Sequence, residues 1–341
     1  MFDVLGMPTT ALEIMLSMYR FHEKINFSLS CAKAKRALRY ITPQSSVMNL
    51  KVAIEYDGLN NVVEVETVNG QSESVGRWSF YKRALDLETE EIIGDTYVEI
   101  DFPHHHPRSR SPLTNVRTFH VLRSAAAFID HFYFIYPNLK LDISFVNLTF
   151  LDLEKMQSIH HCITGARELK FQNCTIPEDE MLTLQKLFHR HHHLVLKDSE
   201  FKFSKDFAVK SINLRIYDIM EDPIDFISKN FSLFQCEELD FGGFFSDKEI
   251  LKILRCWKSG KNPLLKLLVL NYDGEPDEVF SPLRAVEWNE PGPRMFKLGE
   301  FELDCTGGRD IRGRNKAVGT VIFTEALRDR GCQQLVFVVW G

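Results

Sequence analysis

A pattern of apolar residues recurs through the middle of this chain of 341 residues and limits the folds that it can adopt. Each copy begins with an apolar or small residue. Large apolar residues follow it three and five positions later. The clearest copy is Ala166, Leu169 and Phe171, followed by Cys174 and Ile176. The other copies are Tyr136, Leu139 and Leu141; His191, Leu194 and Leu196; Ser211, Leu214 and Ile216; Cys236, Leu239 and Phe241; and Leu265, Leu268 and Leu270. A spacing of roughly 20–30 residues is typical of leucine-rich repeats.

The repeat predicts an irregular leucine-rich-repeat-like solenoid over residues 113–273, within a chain of the α/β class. Capping-box pairs indicate helices between the strands, with Ser246 and Glu249 before one helix and Thr175 and Glu178 before another. Because strand, turn and helix alternate, the strands are expected to form a parallel sheet along a curved stack of repeats. A run of unrelated strand–helix units is the alternative.

In such a stack, the residues that lie between the two large apolar positions and just after them project from the exposed face of the sheet. The substrate-binding residues predicted on this basis are Lys170, Lys197, Arg215, Tyr217 and Asp240. Their mixture of charged groups with an aromatic residue is common on protein-binding surfaces. A solvated face without a partner is the alternative.

Residues 1–41 predict a unit of three helices that is too apolar for its size. Thr10 and Glu13 form a capping-box pair before the first helix. That helix carries one stripe with Ala11, Leu12, Met15, Leu16 and Tyr19, and a second stripe with Ile14 and Met18. A unit of roughly 40 residues cannot bury two stripes against itself. We therefore expect one stripe to face a partner protein, with packing of that stripe on the rest of the chain as the alternative.

The segments on either side of the repeat region predict strands. Over residues 47–102, Leu50, Val52 and Ile54 alternate with polar residues, which indicates a short antiparallel β-hairpin region. Residues 103–112 have the sequence PHHHPRSRSP and predict an exposed linker. Residues 296–341 predict a C-terminal β segment, with strands at 301–303, 317–323 and 335–340 and a glycine-rich turn over 307–316.

The composition excludes several classes of protein. The net charge of −6 provides no global basic field for nucleic acid. The longest apolar stretch, residues 125–136, contains Asp130 and His131 and is too short to cross a membrane. Residues 1–5 lack the cationic start and the apolar run of a signal peptide. Together with seven scattered cysteines, this predicts reduced thiols and a cytoplasmic or nuclear protein that contacts neither nucleic acid nor membrane.

Clusters of histidine are the remaining candidates for chemistry. They are His104 to His106, His160 and His161 with Cys162, and His189 with His191 to His193. A zinc site needs ligands that converge from separated positions, whereas contiguous residues in a strand point to alternate faces. The sequence therefore predicts no metal site and no cofactor. The G-x-S-x-G, H-E-x-x-H and Walker A motifs are also absent, which predicts no catalytic residues; an undiagnosed hydrolase is the enzymatic alternative.

The N-terminal segment resembles an F-box. The residues that carry this resemblance are Leu5, Met7, Pro8, Ala11, Leu12, Met15, Leu16 and the run INFSL at 25–29. Two later stretches are similar to the F-box-associated domain of the large nematode-type F-box family. The first contains Trp257, Gly260 and Asn262, and the second consists of GGRDI at 307–311, GTV at 319–321 and FVVW at 337–340.

The resemblance implies a division of labour along the chain. The F-box is expected to bind the Skp adaptor of a cullin–RING ubiquitin ligase, and the repeat region is expected to recruit a protein substrate. The residues expected to contact the adaptor are Leu5, Pro8, Leu12, Met15, Leu16, Ile25 and Leu29. Proteins of this kind carry no catalytic residues of their own. A leucine-rich-repeat-like interaction module without a link to a ligase is the alternative.

Overall fold

The computed structural model shows a mixed α/β protein with a large sheet content. The chain divides into two compact units, Met1–Lys170 and Phe171–Gly341. The structure describes residues 6–29, 32–43, 46–56, 61–69, 73–82, 91–93, 96–101, 113–148, 155–177, 193–201, 213–217, 227–229, 231–288, 292–299, 301–324 and 333–340. The predicted linker at 103–112 and the predicted capping box at Thr175 and Glu178 fall wholly or partly outside these residues.

The first unit begins with helices. They are α1 (Thr9–Met18), α2 (Phe21–Leu29) and α3 (Ala32–Ile41). Pro8 is the N-cap residue of α1, so Thr10 lies inside the helix and the capping box predicted for Thr10 and Glu13 is wrong. The rigid φ of proline suits the beginning of a helix, which explains a start two residues earlier than expected.

A sheet follows the helices in the first unit. Its elements are β1 (Val47–Tyr56), β2 (Asn61–Val68), β3 (Ser74–Lys82), β4 (Glu91–Ile93), β5 (Thr96–Asp101), β6 (Leu113–Thr118), α4 (Val121–Ile135), β7 (Asn138–Val146), α5 (His160–Gly165) and β8 (Glu168–Gln172), which contains the boundary between the units. The strands lie in the order β7-β1-β2-β3-β6-β5-β4. β1 pairs antiparallel with β2, which confirms the predicted hairpin, and parallel with β7.

Aromatic side chains form the centre of the first unit. Trp78 of β3 is fully buried and lies 5.1 Å from Phe128 and 5.7 Å from Phe132, measured between ring centroids. Both phenylalanines belong to α4, so these rings hold that helix on the sheet. Trp78 and Phe128 are tilted and Trp78 and Phe132 are edge to face, and aromatic pairs of this kind add about 0.5–1.5 kcal/mol each to the burial of the rings.

Polar contacts attach the N-terminal helices to this core. The indole N–H of Trp78 donates a hydrogen bond to Oδ1 of Asn26 in α2 at 3.0 Å. Oγ of Ser28, also in α2, lies 2.7 Å from Nε2 of His131 in α4. All four side chains are buried, so the helices are an integral part of the first unit.

The second unit contains the repeated strands and the C-terminal β segment. Its elements are β9 (Thr175–Ile176), β10 (His193–Lys197), β11 (Glu200–Phe201), β12 (Asn213–Tyr217), β13 (Glu238–Phe244), α6 (Asp247–Lys258), β14 (Leu267–Asn271), α7 (Pro276–Leu283), β15 (Val286–Glu287), β16 (Met295–Leu298), β17 (Phe301–Asp304), β18 (Arg309–Arg312), β19 (Val318–Thr324) and β20 (Gln334–Trp340). The main strands lie in the order β10-β12-β13-β14-β20-β19-β18-β15. Pairing is parallel from β10 to β14 and antiparallel from β14 to β15.

The recurring apolar positions are aligned across the parallel strands. Two continuous rows run through them: Leu194, Leu214, Leu239 and Leu268, and Leu196, Ile216, Phe241 and Leu270. None of these side chains is more than 4 % exposed. The sequence repeat therefore predicts the register correctly, because a slip of one residue would turn each row to the opposite face.

A turn with the same geometry ends two successive strands. Asn173 follows β8 and Asp198 follows β10, and both have positive φ, at 53° and 48°. Asparagine and aspartate tolerate this left-handed conformation better than other residues with a side chain. The N–H of Asn173 donates to the carbonyl of Lys197, and the N–H of Asp198 donates to that of Tyr217. A short strand follows each turn, and these two strands, β9 and β11, pair in parallel.

The C-terminal stretches that resemble the F-box-associated domain are packed together. The ring of Trp257 in α6 lies 4.8 Å from that of Phe337 in β20, edge to face. A Cβ on Gly319 in β19 would collide with the Phe337 ring, and a Cβ on Gly313 would lie 2.9 Å from Trp257. Both glycines are required by the close approach of the rings, so Gly319, which belongs to the motif, stabilises the fold.

A partly buried polar network completes the same region. Asp310 accepts hydrogen bonds from Arg294 and from the hydroxyl of Thr320, both at 2.6 Å. The indole N–H of Trp340 donates to Thr320 at 2.8 Å. Asp310 belongs to β18, whereas the sequence predicted a turn over 307–316. The prediction was wrong because alternation over only four residues is obscured by the glycines and arginines around them.

Candidate functional site

Some of the residues expected to contact an adaptor are buried, and others are exposed or half-buried. Leu12, Leu16 and Ile25 are at most 2 % exposed. Pro8 is exposed, and Met15 and Leu29 are half-buried. Leu5 lies outside the described residues. The assignment of Leu12, Leu16 and Ile25 to a partner-binding surface is therefore corrected: these side chains lie in the protein's own core.

The reason lies in the spacing of the residues along α1. Leu12 and Leu16 are four positions apart, so they share one side of the helix. That side packs against Ala37 of α3, and Phe27 and Ile41 close the cluster. This stripe contains three of the residues that were expected to contact the adaptor, Leu12, Met15 and Leu16.

The opposite side of α1 carries exposed apolar side chains. Ile14 is 62 % exposed and Met18 is 80 % exposed. They are also four positions apart, and we call these two residues the α1 face. The described part of the chain leaves this stripe uncovered, so the alternative in which it packs on the rest of the chain is not supported there.

The contact between α2 and α4 depends on a histidine that stays neutral. Burial lowers the pKa of His131 to about 3, and the nearby positive charge of Lys35 lowers it further. Burial also lowers the pKa of Lys35. Its ammonium group lies 4.6 Å from the centre of the Phe134 ring. Neutral His131 can hydrogen-bond with Ser28 without the cost of a buried charge.

The predicted substrate-binding residues lie on the sheet face opposite to the rows of leucines. Val195, Arg215, Asp240 and Val269 form one row, and Lys197 and Tyr217 are paired in the next. The side chain of Arg215 is 34 % exposed, that of Lys197 is 39 % exposed, and Tyr217 is half-buried. We call Lys197, Arg215 and Tyr217 the strand face.

One of the predicted substrate-binding residues is not accessible on this surface. Asp240 is completely buried and accepts a hydrogen bond from the hydroxyl of Tyr217 at 3.0 Å. Its prediction as a contact residue is wrong, because hydrophobic periodicity does not predict what covers that end of the sheet. Lys170 is half-buried and belongs to the first unit, and its contact with a substrate stays a prediction.

A β-hairpin accounts for part of this covering. β16 and β17 pair with each other, and Phe296 and Leu303 from them pack against Leu267 and Val269 of β14. The face is therefore closed at the β14 end, whereas the side chains of Lys197 on β10 and Arg215 on β12 are partly exposed. Hydrophobic periodicity alone does not predict which strands are covered by a later hairpin.

Acidic groups accompany the basic groups of the strand face. Arg215 lies 3.6 Å from Glu238, and Lys197 lies 3.7 Å from Asp198. Distances of this length between partly exposed groups correspond to weak ion pairs. The surface expected to be mostly cationic is thus a mixture of both signs beside an aromatic ring.

Among the residues that the structure describes, a group with metal-ligating atoms lies on α4 and α5. The ligand atoms of Asp130, His161 and Cys162 all lie within 4.8 Å of one another. Burial, and after it the charge of Asp130, raise the pKa of the Cys162 thiol to about 12. His161 and Cys162 are neighbours in the sequence, whereas Asp130 could not be predicted as a member of the group because only the fold brings α4 beside α5.

Comparison with models of known protein families found no match. Curated proteins and solved structures likewise gave no match to this chain. Within the part of the chain that the structure describes, no helix has the length and apolar character needed to span a membrane.

Proposed function

We propose that this protein is a non-enzymatic adaptor that recruits a substrate to a Skp–cullin–F-box ubiquitin ligase. The observation that carries the proposal is the division of α1 into two sides. Leu12 and Leu16 complete the core, while Ile14 and Met18 remain exposed on the other side. This arrangement suits a helix that holds its own unit together and binds a second protein at the same time.

The exposed pair is chemically suited to bind a partner. An isoleucine and a methionine that go from water into an apolar interface each stabilise a complex by about 1.5–3 kcal/mol. Methionine is flexible and adapts to irregular apolar surfaces. The resemblance of residues 5–29 to an F-box supplies the identity of the partner, the Skp adaptor of a cullin–RING ligase. The expected place of action is therefore the cytoplasm or the nucleus.

The second unit supplies the substrate-binding surface in this proposal. Its parallel strands, aligned rows of leucines and repeated turns at Asn173 and Asp198 support an irregular leucine-rich-repeat-like solenoid. The strand face presents Arg215 and Tyr217, residue types that often dominate the energy of protein interfaces. We therefore assign a protein substrate to Lys197, Arg215 and Tyr217.

Binding of purified Skp adaptor to the full chain tests the first half of the proposal. The double substitution Ile14→Asp and Met18→Asp places two charges where an apolar contact is expected, so affinity should fall at least tenfold, equivalent to about 1.4 kcal/mol or more. Phe119→Asp is the matched control, because Phe119 is 51 % exposed in the same unit but lies outside α1. Leu12→Asp is unsuitable, since a charge in the core would unfold the helices.

The expected result is a loss of binding in the double variant with an unchanged circular dichroism spectrum. Adaptor affinity within twofold of the unsubstituted chain would refute the assignment of the α1 face. If the unsubstituted chain itself fails to bind adaptor, the better description is a repeat-type interaction module without a link to a ligase.

A further inference from the structure

We infer that Asp130, His161 and Cys162 bind a transition metal ion of the zinc type and thereby join α4 to α5. Asp130 lies in the last two turns of α4, and His161 and Cys162 lie in the first turn of α5. The inference goes beyond the adaptor function and stands independently of it.

Two of the separations between the three ligand atoms are close to those of a tetrahedral zinc site. Nε2 of His161 lies 3.0 Å from Oδ1 of Asp130 and 3.3 Å from Sγ of Cys162. Zinc bonds of about 2.1 Å to nitrogen and oxygen and about 2.3 Å to sulfur place the same pairs of atoms about 3.4 and 3.6 Å apart. Shifts of about 0.3–0.4 Å bring these two pairs to the zinc distances. Rotation of the exposed side chains of Asp130 and His161 can supply them, and the third pair of ligand atoms, from Asp130 and Cys162, lies within 4.8 Å.

Hydrogen bonding alone leaves this group poorly satisfied. A single atom, Nε2 of His161, faces both the carboxylate of Asp130 and the thiol of Cys162. If Nε2 carries the proton, it can donate to the carboxylate but cannot accept from the thiol. If Nε2 is unprotonated, it accepts from the thiol but directs its lone pair near a carboxylate oxygen at 3.0 Å. A cation between the three atoms accepts electron pairs from all of them at once.

The donor set selects the class of metal. A thiolate and an imidazole favour zinc and cobalt(II) over the hard cations magnesium and calcium, which prefer oxygen ligands. On binding, the Cys162 thiol loses its proton to solvent and the sulfur forms the bond to the metal. The side chains of Asp130 and His161 are 56 % and 53 % exposed, so a water molecule can occupy the fourth position.

The neighbouring sequence offers close controls. His160 is exposed and belongs to the same turn of α5, but it is not a member of the group. Cys256 is a free, half-buried cysteine in the second unit. Both therefore test whether any histidine or any thiol of this chain is sufficient.

Cobalt(II) titration of the full chain, stripped of metal and of any affinity tag, tests the inference. To remove adventitious binding, all the proteins carry His104, His105 and His106 replaced by alanine. We expect equimolar binding with a thiolate-to-cobalt charge-transfer band in the near ultraviolet. Cys162→Ala should abolish the band, and His161→Ala and Asp130→Ala should each weaken binding at least about tenfold. His160→Ala and Cys256→Ala should leave both unchanged.

A second readout guards against variants that fold poorly. Zinc should raise the melting temperature of the unsubstituted protein and of His160→Ala, but not that of Cys162→Ala, because only a native site is stabilised by its ligand. The inference is overturned if Cys162→Ala keeps the band, or if His160→Ala and His161→Ala lose affinity equally. Absence of equimolar binding to the unsubstituted protein overturns it as well.

Discussion

The α1 face and the strand face differ in the chemistry of their side chains and in the secondary structure that carries them. Ile14 and Met18 are apolar, uncovered and carried by a short helix. Arg215 and Lys197 are charged and lie near acids of their own chain, on strands aligned by backbone hydrogen bonds. An apolar surface gains most from permanent burial, whereas a mixed charged surface discriminates between partners. This difference fits a partner that is always the same at the α1 face and a partner that is chosen among several at the strand face.

The two surfaces also depend on the rest of the chain in different ways. The α1 face keeps its position through a buried core cluster and through the contact between Ser28 and His131. The strand face depends on Tyr217, whose hydroxyl donates to the buried carboxylate of Asp240. Substitutions can therefore damage either surface without touching the other.

The largest expected effect comes from the inner side of α1. Leu16→Asp should reduce the free energy of unfolding by at least about 3 kcal/mol, because it buries an unpaired charge and removes core packing. Ile14→Asp, on the exposed side of the same helix, should change it by less than about 0.5 kcal/mol. Urea denaturation of both variants measures the contrast, and equal losses would show that the two sides of α1 are wrongly assigned.

A smaller effect should follow from acidification. The pKa of His131 is about 3 in the folded protein and about 6.5 when unfolded, so the unfolded chain takes up the proton first. The stability that the protein gains from keeping His131 uncharged is complete above pH 6.5. It is lost as the pH falls towards 3, at about 1.4 kcal/mol per pH unit. Between pH 7 and pH 5 the unsubstituted protein should lose about 2 kcal/mol more than His131→Gln. Parallel stability profiles for the two proteins would argue against a buried, neutral His131.

The smallest effect should come from the strand face. Tyr217→Phe removes one hydrogen bond to Asp240 and should lower the free energy of unfolding by about 1 kcal/mol. Lys197→Ala, on the paired position of the next strand, should change it by less than about 0.5 kcal/mol, because its ion pair is exposed and long. Thermal denaturation with calorimetry compares them; a Tyr217→Phe variant as stable as Lys197→Ala would show that the contact with Asp240 contributes little.

The sequence predicts the regular parts of this fold well. The repeat places Leu194, Leu214 and Leu239 in one buried row because each strand repeats the same two-residue periodicity. The helix start at Ser246 follows from a local signal, the capping box with Glu249, whose carboxylate accepts from the Ser246 N–H at 2.7 Å. Both features depend on residues that are close in sequence or repeated along it.

The sequence does not predict what distant segments cover. Leu12 and Ile14 are both apolar, and only the packing of α3 decides that the first is buried and the second is exposed. The burial of Asp240 and the approach of Asp130 to His161 likewise depend on elements that lie far apart along the chain. The identity of candidate site residues was therefore less predictable than the position of the strands.

The central claim is that the two surfaces act separately, and a crossed capture experiment tests it most directly. The tagged full chain, the Ile14→Asp/Met18→Asp variant and an Arg215→Ala/Tyr217→Ala variant would be expressed in the same cells, and their partners quantified by mass spectrometry. The account predicts that the first variant loses adaptor and cullin but retains the other partners, and that the second variant shows the opposite pattern. Loss of the same partners in both variants, or no loss in either, would contradict it.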